Sequence, residues 1–296
     1  MLASLRGVLV TTIFTVTIIM VTIPIVFFAL LRLVPVPAWQ HLLNPFLDAS
    51  ANFWIRVNNL QQNWFLPTIL EIEGIGTLNR KEWYMLIANH QAWADILIIV
   101  RTFGTDIPGV KFFFKRSLLW VPVLGLALWG LDFPSMRRHS KAEMARDPSL
   151  RGKDLERTRS ACARFRYHPV TIINFLEGTR FTCAKHQQQQ SVYRHLLMPK
   201  AGGMAFALNA MDGQLHQLLD VTIYYEGGIP SYWNYVCGKV KRIKVQVREL
   251  PIPPEMLGDY EGDPEFRRAF QRWVNDMWRE KDEMLDDLAS HEKKIG

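Results

Sequence analysis

The sequence predicts an α/β fold in which helices flank a mostly parallel central sheet, preceded by an N-terminal membrane helix or helical hairpin. Beyond residue 66, short runs of β-branched and apolar residues alternate with helical stretches, a pattern typical of crossover connections between parallel strands. Before residue 32 the chain holds a long uncharged segment. The whole chain has 296 residues, of which 49% are hydrophobic; this is enough for a sizeable core and excludes a disordered chain.

The uncharged segment covers residues 7–31. As a helix its 25 residues would be about 37 Å long, whereas the hydrocarbon core of a bilayer is roughly 30 Å thick. We therefore expect a membrane segment and not a cleaved signal peptide, whose apolar run is shorter. Pro24 leaves two arrangements open, namely a single span and a hairpin that enters the membrane and returns.

The next segment, residues 36–66, is rich in Trp, Phe, Leu and Asn and carries two charged side chains. Two interpretations of it stay open: a helix at the membrane interface with its aromatic rings at headgroup depth, or a helix packed on the globular domain. We group residues 1–66 as N-terminal membrane-anchoring and interfacial helices. An α/β domain at 67–250 follows, and a C-terminal helical extension at 251–296 is expected to pack on it.

Five strands are expected in the α/β domain. The first four are short β-rich runs, and the last alternates apolar with charged or polar residues, which is typical of a strand with one wet face. In chain order they are Thr68–Glu73, Tyr84–Asn89, Val170–Leu176, Leu219–Tyr225 and Val240–Leu250. The sequence Asp263-Pro264-Glu265 then marks the start of a final helix whose apolar residues form one stripe.

The chain has an excess of positive charge, with 35 Lys and Arg against 28 Asp and Glu and a net charge of +7. Between residues 137 and 166 ten basic residues stand against four acidic ones, so this basic segment holds most of the excess. Such a balance favours an anionic partner, and no nucleic-acid-binding motif accompanies it. The three cysteines have spacings that fit neither a metal site nor a redox pair, and a reducing compartment is expected.

Two motifs directly follow predicted strands, and the first contains a histidine and an aspartate. His90 follows the strand Tyr84–Asn89, and Asp95 lies at the start of the next helix. On a regular helix these two residues would be rotated by about 500°, so they would stand roughly 140° apart and could not share a face. If His90 instead lies in the turn that leaves the strand, the Asp95 carboxylate can fold back onto the imidazole. There it would fix the tautomer of a general base; the alternative is that both residues only cap the helix.

The second motif is Glu177-Gly178-Thr179-Arg180, which follows a later predicted strand. Open α/β sheets place their sites beyond the carboxyl ends of parallel strands, so the two motifs would lie side by side if their strands are neighbours. The guanidinium of Arg180, the hydroxyl of Thr179 and the close backbone approach that Gly178 allows suit a phosphate group. Glu177 is expected to turn away from the phosphate, pair with a cation and brace the loop.

These motifs resemble those of the glycerolipid acyltransferases of the 1-acylglycerol-3-phosphate (lysophosphatidate) acyltransferase family. The resemblance begins with Asn89-His90-x-x-x-x-Asp95 and Phe175-Leu176-Glu177-Gly178-Thr179-Arg180. The stretch from Lys115 to Gly125, with Arg137 after it, is similar to the family's second block, in which a lysine and a later arginine help to hold the acceptor's phosphate. The resemblance extends over residues 68–290 and implies a glycerol-3-phosphate acyltransferase-like fold.

One block departs from the pattern that is common in this family. Many relatives have a proline-centred block where this chain has Asp220-Val221-Thr222. In this respect the chain is similar to the branch that includes the eukaryotic lysophospholipid and lysocardiolipin enzymes. The departure leaves open which headgroup the acceptor carries. The residues before Arg137 are also unusual, so Arg138 stays an alternative to it.

The resemblance implies a membrane-bound acyltransferase that moves a fatty acyl group from a thioester of coenzyme A or acyl carrier protein to the free hydroxyl of a lysophospholipid, with lysophosphatidate as the leading acceptor. His90 would remove the hydroxyl proton, and Asp95 would orient His90. The predicted phosphate-binding residues are Lys115, Arg137, Glu177, Gly178, Thr179 and Arg180. We expect no metal and no cofactor beyond the acyl-CoA or acyl-ACP co-substrate. Backbone amides near the start of the helix that carries Asp95 are expected to bind the oxyanion.

Three other functions stay open: acylation of another lysophospholipid in membrane remodelling, hydrolysis of the thioester by water, and non-catalytic binding of anionic lipid. The expected partners are membrane lipid, the lysophospholipid acceptor and the acyl donor, and no nucleic acid is expected. The basic segment is expected to meet anionic lipid or an acidic acyl carrier. Because acyl thioesters are cytosolic, we expect the catalytic domain on the cytosolic face of the inner (cytoplasmic) membrane.

Overall fold

The computed structural model describes residues 1–136, 165 and 168–295, so Arg137 and all of the basic segment except Phe165 lie outside the described residues. The strands of the described part are β1 Ile69–Glu73, β2 Tyr84–Ala88, β3 Val110–Phe112, β4 Phe114–Lys115, β5 Ser135–Met136, β6 Thr171–Phe175, β7 Gln217–Tyr225 and β8 Arg242–Pro251. Its α-helices are α1 Leu2–Leu31, α2 Pro37–Phe65, α3 Asp95–Phe103, α4 Leu124–Gly130, α5 Cys183–Gln189, α6 Gly202–Ala210, α7 Tyr232–Val236 and α8 Pro264–Ile295. Short 3-10 helices cover Arg116–Trp120 and Pro254–Met256.

Six of the described strands form one sheet in the order β1, β8, β7, β2, β6, β3. The strands from β7 to β3 run parallel to one another, whereas β8 is antiparallel to β7 and parallel to β1. The predicted fold, a mostly parallel sheet flanked by helices, is confirmed. All five predicted strands are present, within two residues at either end. The structure adds β3, β4 and β5, which have only two or three residues and are too short to show a periodic pattern.

Side chains alternate along the strands and divide the core between the two faces of the sheet. On one face, Met85 and Ile87 of β2 pack with residues of α6 and α8. On the other face, Leu86 packs with residues of α3 and α7. Every residue of β2 is buried, because strands lie on both of its edges and helices cover both faces. The site described below lies where this central strand ends.

The N-terminal helix α1 runs through Pro24 without interruption, so the chain does not turn back there. Within the described residues it is the one helix that is long and apolar enough to cross a membrane, by length and composition. A single stripe of small and apolar residues along it is buried: Gly7, Val10, Phe14, Val21, Thr22, Ile25 and Ala29. The opposite face exposes large apolar side chains, among them Leu9, Met20 and Phe27.

Both ends of α1 contact the α/β domain. Near the amino end, Gly7 lies so close to the end of α7 that an added Cβ would come within 2.5 Å of the Cys237 sulfur. Near the carboxyl end, Gly130 of α4 lies against Ile25, where an added Cβ would come within 2.6 Å of the Ile25 side chain. Glycine permits both approaches because it has no side chain. The helix therefore lies along the domain over its whole length.

The second helix, α2, has one buried face and one exposed face. The buried face includes two leucines and three polar residues: Leu43, Leu47, Asn58, Gln61 and Gln62. The exposed face carries aromatic rings: Trp39, Phe46, Phe53 and Trp64. The buried face agrees with a helix packed on the rest of the protein, and a place at the membrane interface stays a prediction for the exposed rings.

The C-terminal helix α8 begins where the sequence predicts it. The Asp263 carboxylate accepts the backbone amides of Glu265 and Phe266 at 2.8 and 3.1 Å, which caps the first turn. The predicted apolar stripe lies against the sheet, with Phe270 and Leu285 buried in the core. The helix therefore covers the face of the sheet that α6 also covers.

Candidate active site

His90 and Asp95 lie together where β2 ends. The strand stops at Ala88 and α3 begins with Asp95, so His90 lies in the turn between them. The imidazole Nδ1 is 2.8 Å from Asp95 Oδ2, which is the contact expected from the sequence. The Asp95 side chain is 1% exposed and that of His90 is 19% exposed. A buried carboxylate therefore supports a ring that solvent can reach.

The Asp95 carboxylate accepts several hydrogen bonds besides the one from His90. Its Oδ2 accepts the backbone amides of Gln91 and Ala92 at 2.6 and 2.9 Å. Its Oδ1 accepts the hydroxyl of Tyr225 at 2.6 Å. These partners are all donors, which suits a carboxylate that accepts from Nδ1–H and leaves the lone pair on Nε2. The amides of Gln91 and Ala92 donate to Asp95, so the expected oxyanion donors would have to be other amides at the start of α3, and their role stays a prediction.

The ends of β2 and β6 are neighbours, as their parallel pairing requires. Ala88 is in register with Phe175, the last residue of β6, so His90 and Glu177 each lie two residues beyond a paired position. The Phe175 ring stacks on the His90 imidazole with 4.1 Å between the ring centroids. The backbone amide of Phe181 donates to the His90 carbonyl at 2.7 Å. These contacts fix His90 against the loop that follows β6.

Glu177 is fully buried beneath this loop. Its Oε1 accepts the backbone amide of His90 at 2.7 Å, and its Oε2 accepts that of Leu197 at 3.1 Å. Burial raises the pKa of Glu177 from 4.5 to about 7; the two amide hydrogen bonds counteract this in part, and the charge of Asp95 adds to it. Two predicted details are corrected by these contacts. Backbone amides stand where we expected a cation, and a fully buried carboxylate cannot contact a substrate phosphate.

The rest of the loop presents the groups that suit a phosphate. Gly178 has a φ of +66°, a conformation that favours glycine. The Arg180 guanidinium lies 4.3 Å from the centre of the exposed Trp93 ring, a cation–π contact. The Thr179 hydroxyl accepts from Lys185 Nζ at 2.7 Å, and the same ammonium donates to the Arg180 carbonyl at 3.0 Å. The loop therefore carries one cation, Arg180, and its Thr179 hydroxyl contacts a second cation, Lys185 of α5.

Two other predicted phosphate ligands lie outside this loop. Lys115 is in the short strand β4, which pairs with β5. Arg137 lies outside the described residues. Their roles in phosphate binding stay predictions. In the part of the chain that the structure describes, no three His, Cys, Asp or Glu residues are grouped so that they could hold a metal ion.

A cavity of about 740 Å³ lies away from His90. It is enclosed by the connection between α1 and α2, the end of α4 and the residues just before β3 and β6. Its polar lining includes Arg32, His41, Lys111, Asp132 and His168. The strands β3 and β6 run parallel to β2, so this cavity lies at their amino ends, whereas His90 lies beyond the carboxyl end of β2. The cavity is therefore not part of the candidate active site.

The Asp220-Val221-Thr222 departure coincides with a buried ionic contact between β7 and α8. The Lys281 ammonium lies 2.5 Å from Asp220 Oδ1, and both side chains are fully buried. Lys281 also donates to the Val221 carbonyl at 2.7 Å and to the Thr222 hydroxyl at 3.0 Å. Arg248 of β8 donates to Asp220 Oδ2 at 2.5 Å. The unusual strand residues therefore fasten the C-terminal helix to the sheet.

Three residues at the site were not predicted from the sequence, namely Tyr225, Lys185 and Trp93. Tyr225 ends a strand that was predicted, and the rule that sites lie at the carboxyl ends of parallel strands could have indicated it. Trp93 lies between His90 and Asp95 in the chain, and its position inside the motif could have indicated it. Lys185 lies in α5, outside any motif, and the sequence gives no signal for it.

A family model described as Acyltransferase matches residues 69–226, which is more than half of the chain. Human 1-acyl-sn-glycerol-3-phosphate acyltransferase gamma is 25% identical over 251 residues, covering 79% of this chain and 61% of that protein. The 2-acyl-1-lysophosphatidylinositol acyltransferase of Saccharomyces cerevisiae is 23% identical over 250 residues, covering 69% of this chain and 61% of that protein. The chain spans about three fifths of the length of the curated relatives it matches.

The fold is also found among solved structures. The crystal structure of the 1-acyl-sn-glycerophosphate (LPA) acyltransferase from Thermotoga maritima superposes with a TM-score of 0.53 at 17% sequence identity, covering 96% of this chain and 98% of that chain. The likeness shows that both chains share one fold. The region matched by the family model contains His90, Asp95 and the loop after β6. The match over residues 69–226 shows that this chain belongs to the acyltransferase family.

Proposed function

We propose that this protein is a membrane-bound acyltransferase that transfers a fatty acyl group from a thioester of coenzyme A or acyl carrier protein to the free hydroxyl of lysophosphatidate. The observation that carries the proposal is the 2.8 Å contact between His90 Nδ1 and Asp95, at the end of β2 and beside the loop after β6. The name of the human relative, a 1-acyl-sn-glycerol-3-phosphate acyltransferase, supports the choice of acceptor.

In this proposal His90 is the general base. Asp95 accepts Nδ1–H, so Nε2 is the basic nitrogen, and it takes the proton of the acceptor hydroxyl as that oxygen attacks the thioester carbonyl carbon. When the C–S bond breaks, the imidazolium gives the proton to the departing thiolate. The products are phosphatidate and a free thiol. Between the two proton transfers, the Asp95 carboxylate offsets the positive charge of the ring.

We assign the phosphate of the acceptor to Arg180, to Lys185 and to the Thr179 hydroxyl, which accepts from Lys185 Nζ. A phosphate monoester carries about two negative charges and a diester carries one, so two cations favour the monoester of lysophosphatidate. Stacking on Trp93 limits the orientations of the Arg180 fork. Holding the phosphate in this way keeps the acceptor hydroxyl near Nε2, and such positioning supplies much of the rate of a transfer between two substrates.

A second candidate acceptor is another lysophospholipid, with the acyl group restored to an existing membrane lipid. The S. cerevisiae relative is named as a lysophosphatidylinositol acyltransferase, which is the observation that favours this alternative. The chemistry at His90 would be the same. The two acceptors differ in the charge of the phosphate, so their relative rates report on the loop after β6.

A panel of acceptors tests the proposed reaction. Purified full-length protein in mixed micelles receives acyl-CoA or acyl-ACP with lysophosphatidate, lysophosphatidylinositol, lysophosphatidylcholine or no acceptor. Free thiol and acylated lipid are measured together. We expect thiol release to match phosphatidate formation and to be slower with the two diesters. Equal thiol release without an acceptor would show a thioesterase, and binding to anionic vesicles without thiol release on any acceptor would show a lipid-binding protein.

We propose further that α1 and α2 attach the protein to the membrane along one leaflet. A helix that crosses a bilayer keeps contact with a globular domain at one end only, whereas α1 contacts the domain near Gly7 and again near Ile25. Along the surface, α1 would present its outer apolar face to the acyl chains, and α2 would present its aromatic rings. The length of α1 alone also suits a span, so labelling experiments must distinguish the two arrangements.

We place the α/β domain on the cytosolic face of the inner (cytoplasmic) membrane. Acyl thioesters are cytosolic, so the site that consumes them belongs on that side. Protease added to sealed membrane vesicles of known orientation should cleave the domain only from the cytosolic side. Cleavage of residues 70–290 from the opposite side alone would contradict this placement.

A further inference from the structure

The hydroxyl of Tyr225 adds a third member to the pair of His90 and Asp95. Tyr225 is the last residue of β7 and is 2% exposed. Its hydroxyl donates to Asp95 Oδ1 at 2.6 Å, while Oδ2 of the same carboxylate accepts from His90. We propose that Tyr225 is a positioning residue, which holds the Asp95 carboxylate and through it sets the orientation and the basicity of the His90 ring. This role rests on the proposed acyl transfer.

Hydrogen bonds between the end of β2 and β7 bring Tyr225 to this position. Beyond the last paired residue of β2, the Asn89 side chain continues the ladder to β7. Its amide donates to the Ile223 carbonyl at 2.9 Å, and the Ile223 amide donates to Asn89 Oδ1 at 2.8 Å. Side chains alternate along a strand, so Tyr225 lies on the same face as Ile223, the face covered by α3. Asp95 begins α3, and its carboxylate meets the hydroxyl there.

The surroundings of Tyr225 keep its proton on the phenol oxygen. Burial raises the pKa of Tyr225 well above 10, and the Asp95 carboxylate raises it further. The hydroxyl is therefore a donor over the whole working pH range. A hydrogen bond donated to a carboxylate stabilises its negative charge and so weakens its attraction for a proton on the neighbouring ring. Other ionisable groups around these residues are Glu177, Tyr235 and Lys281.

The chain offers a matched pair of variants. Tyr225→Phe removes only the hydroxyl that reaches Asp95. Tyr235→Phe is the control, because Tyr235 is also fully buried but donates its hydroxyl to Gln62 Oε1 at 2.5 Å. We expect Tyr225→Phe to lower kcat about tenfold, the effect of losing one hydrogen bond to a charged group, with little change in KM. We also expect the acid limb of the pH profile of kcat/KM to move to higher pH in Tyr225→Phe. Tyr235→Phe should change neither kcat nor this pH profile.

An NMR titration of the His90 ring nitrogens separates this role from the proposed function, because it needs no substrate and reads His90 apart from Glu177. The titration midpoint of the ring should move to higher pH in Tyr225→Phe and stay in place in Tyr235→Phe. An unchanged midpoint together with an unchanged kcat would overturn the role of Tyr225. A shifted midpoint in a protein that transfers no acyl group would support the role of Tyr225 and refute the proposed reaction.

If Tyr225→Phe does not fold, a measurement on the wild-type protein tests the role of Tyr225. A buried hydroxyl bound to a carboxylate exchanges slowly with water, so the Tyr225 hydroxyl proton should give a distinct NMR signal. We expect that signal to move as the His90 ring titrates, because both bind the two oxygens of one carboxylate. A signal that stays fixed through this titration would overturn the coupling.

Discussion

The Asp95 carboxylate accepts hydrogen bonds from the His90 ring, from the hydroxyl of Tyr225 and from the backbone amides of Gln91 and Ala92. At the scale of single residues, this explains how one partly exposed ring can have a fixed direction before any substrate binds. The bonds from backbone amides cannot be removed by a side-chain change. Preorganisation of this kind keeps the reorganisation that the reaction requires small.

Glu177 gives the protein a pH-dependent stability. Its pKa is about 7 in the folded protein against 4.5 ordinarily, so the stability linked to its protonation is complete below pH 4.5 and is lost as the pH rises through 7. We expect the free energy of unfolding of the wild type to fall over this range, and that of Glu177→Gln to fall less. Urea unfolding at a series of pH values measures both.

The exposed residue Glu255 provides the control for this prediction. Glu255→Gln makes the same change of side chain at an exposed position, so it should retain the full pH dependence of the wild type. Equal slopes for Glu177→Gln and the wild type between pH 4.5 and 7 would refute the assigned protonation of Glu177.

At the scale of elements, the buried contact between α8 and β7 holds the C-terminal helix. Lys281→Met leaves Asp220 buried with Arg248 as its remaining cation, so we expect the free energy of unfolding to fall by about 3 kcal/mol. Arg279→Met, in the same helix, removes a solvent-exposed pair with Asp276 and should change it by less than about 0.5 kcal/mol. Urea unfolding compares the two, and equal losses would contradict a special role for Lys281.

The contacts between elements differ in how well they could be predicted from the sequence. His90 and Asp95 could be paired from the sequence because one turn separates a strand end from a helix start, so local geometry decides their contact. Tyr225 lies 130 positions from Asp95, and only the order of strands in the sheet brings them together. Glu177 was expected to find a cation, but the fold supplies the amides of His90 and Leu197. Contacts set by tertiary packing leave no local pattern.

At the scale of the whole molecule, the length and composition of α1 predict a membrane segment but not how the helix lies relative to the domain. The buried stripe of α1 and its contacts at both ends depend on glycines that carry no hydrophobic signal, Gly7 and Gly130. The placement along the domain could therefore be seen only in the fold. It supports the proposed attachment along one leaflet over the single span and the hairpin that the sequence left open.

Cysteine labelling tests this placement. In a variant without the native cysteines, Ser4→Cys and Leu33→Cys put one thiol near each end of α1, at exposed positions outside the apolar face of Leu9, Met20 and Phe27. A membrane-impermeant thiol reagent added to sealed vesicles should label both thiols from the same side. A spanning helix would place the two thiols on opposite sides, so labelling of only one from each side would contradict the leaflet arrangement.

We propose that His90, oriented by Asp95, carries the proton during transfer of the acyl group. The most direct measurement is the rate of coupled thiol release and phosphatidate formation by His90→Ala beside His216→Ala, which alters an exposed histidine. We predict that His90→Ala reduces both products at least 10³-fold, because the general base and its positioned ring are lost together, and that His216→Ala leaves them unchanged. Retention of near-wild-type rates by His90→Ala would contradict the account.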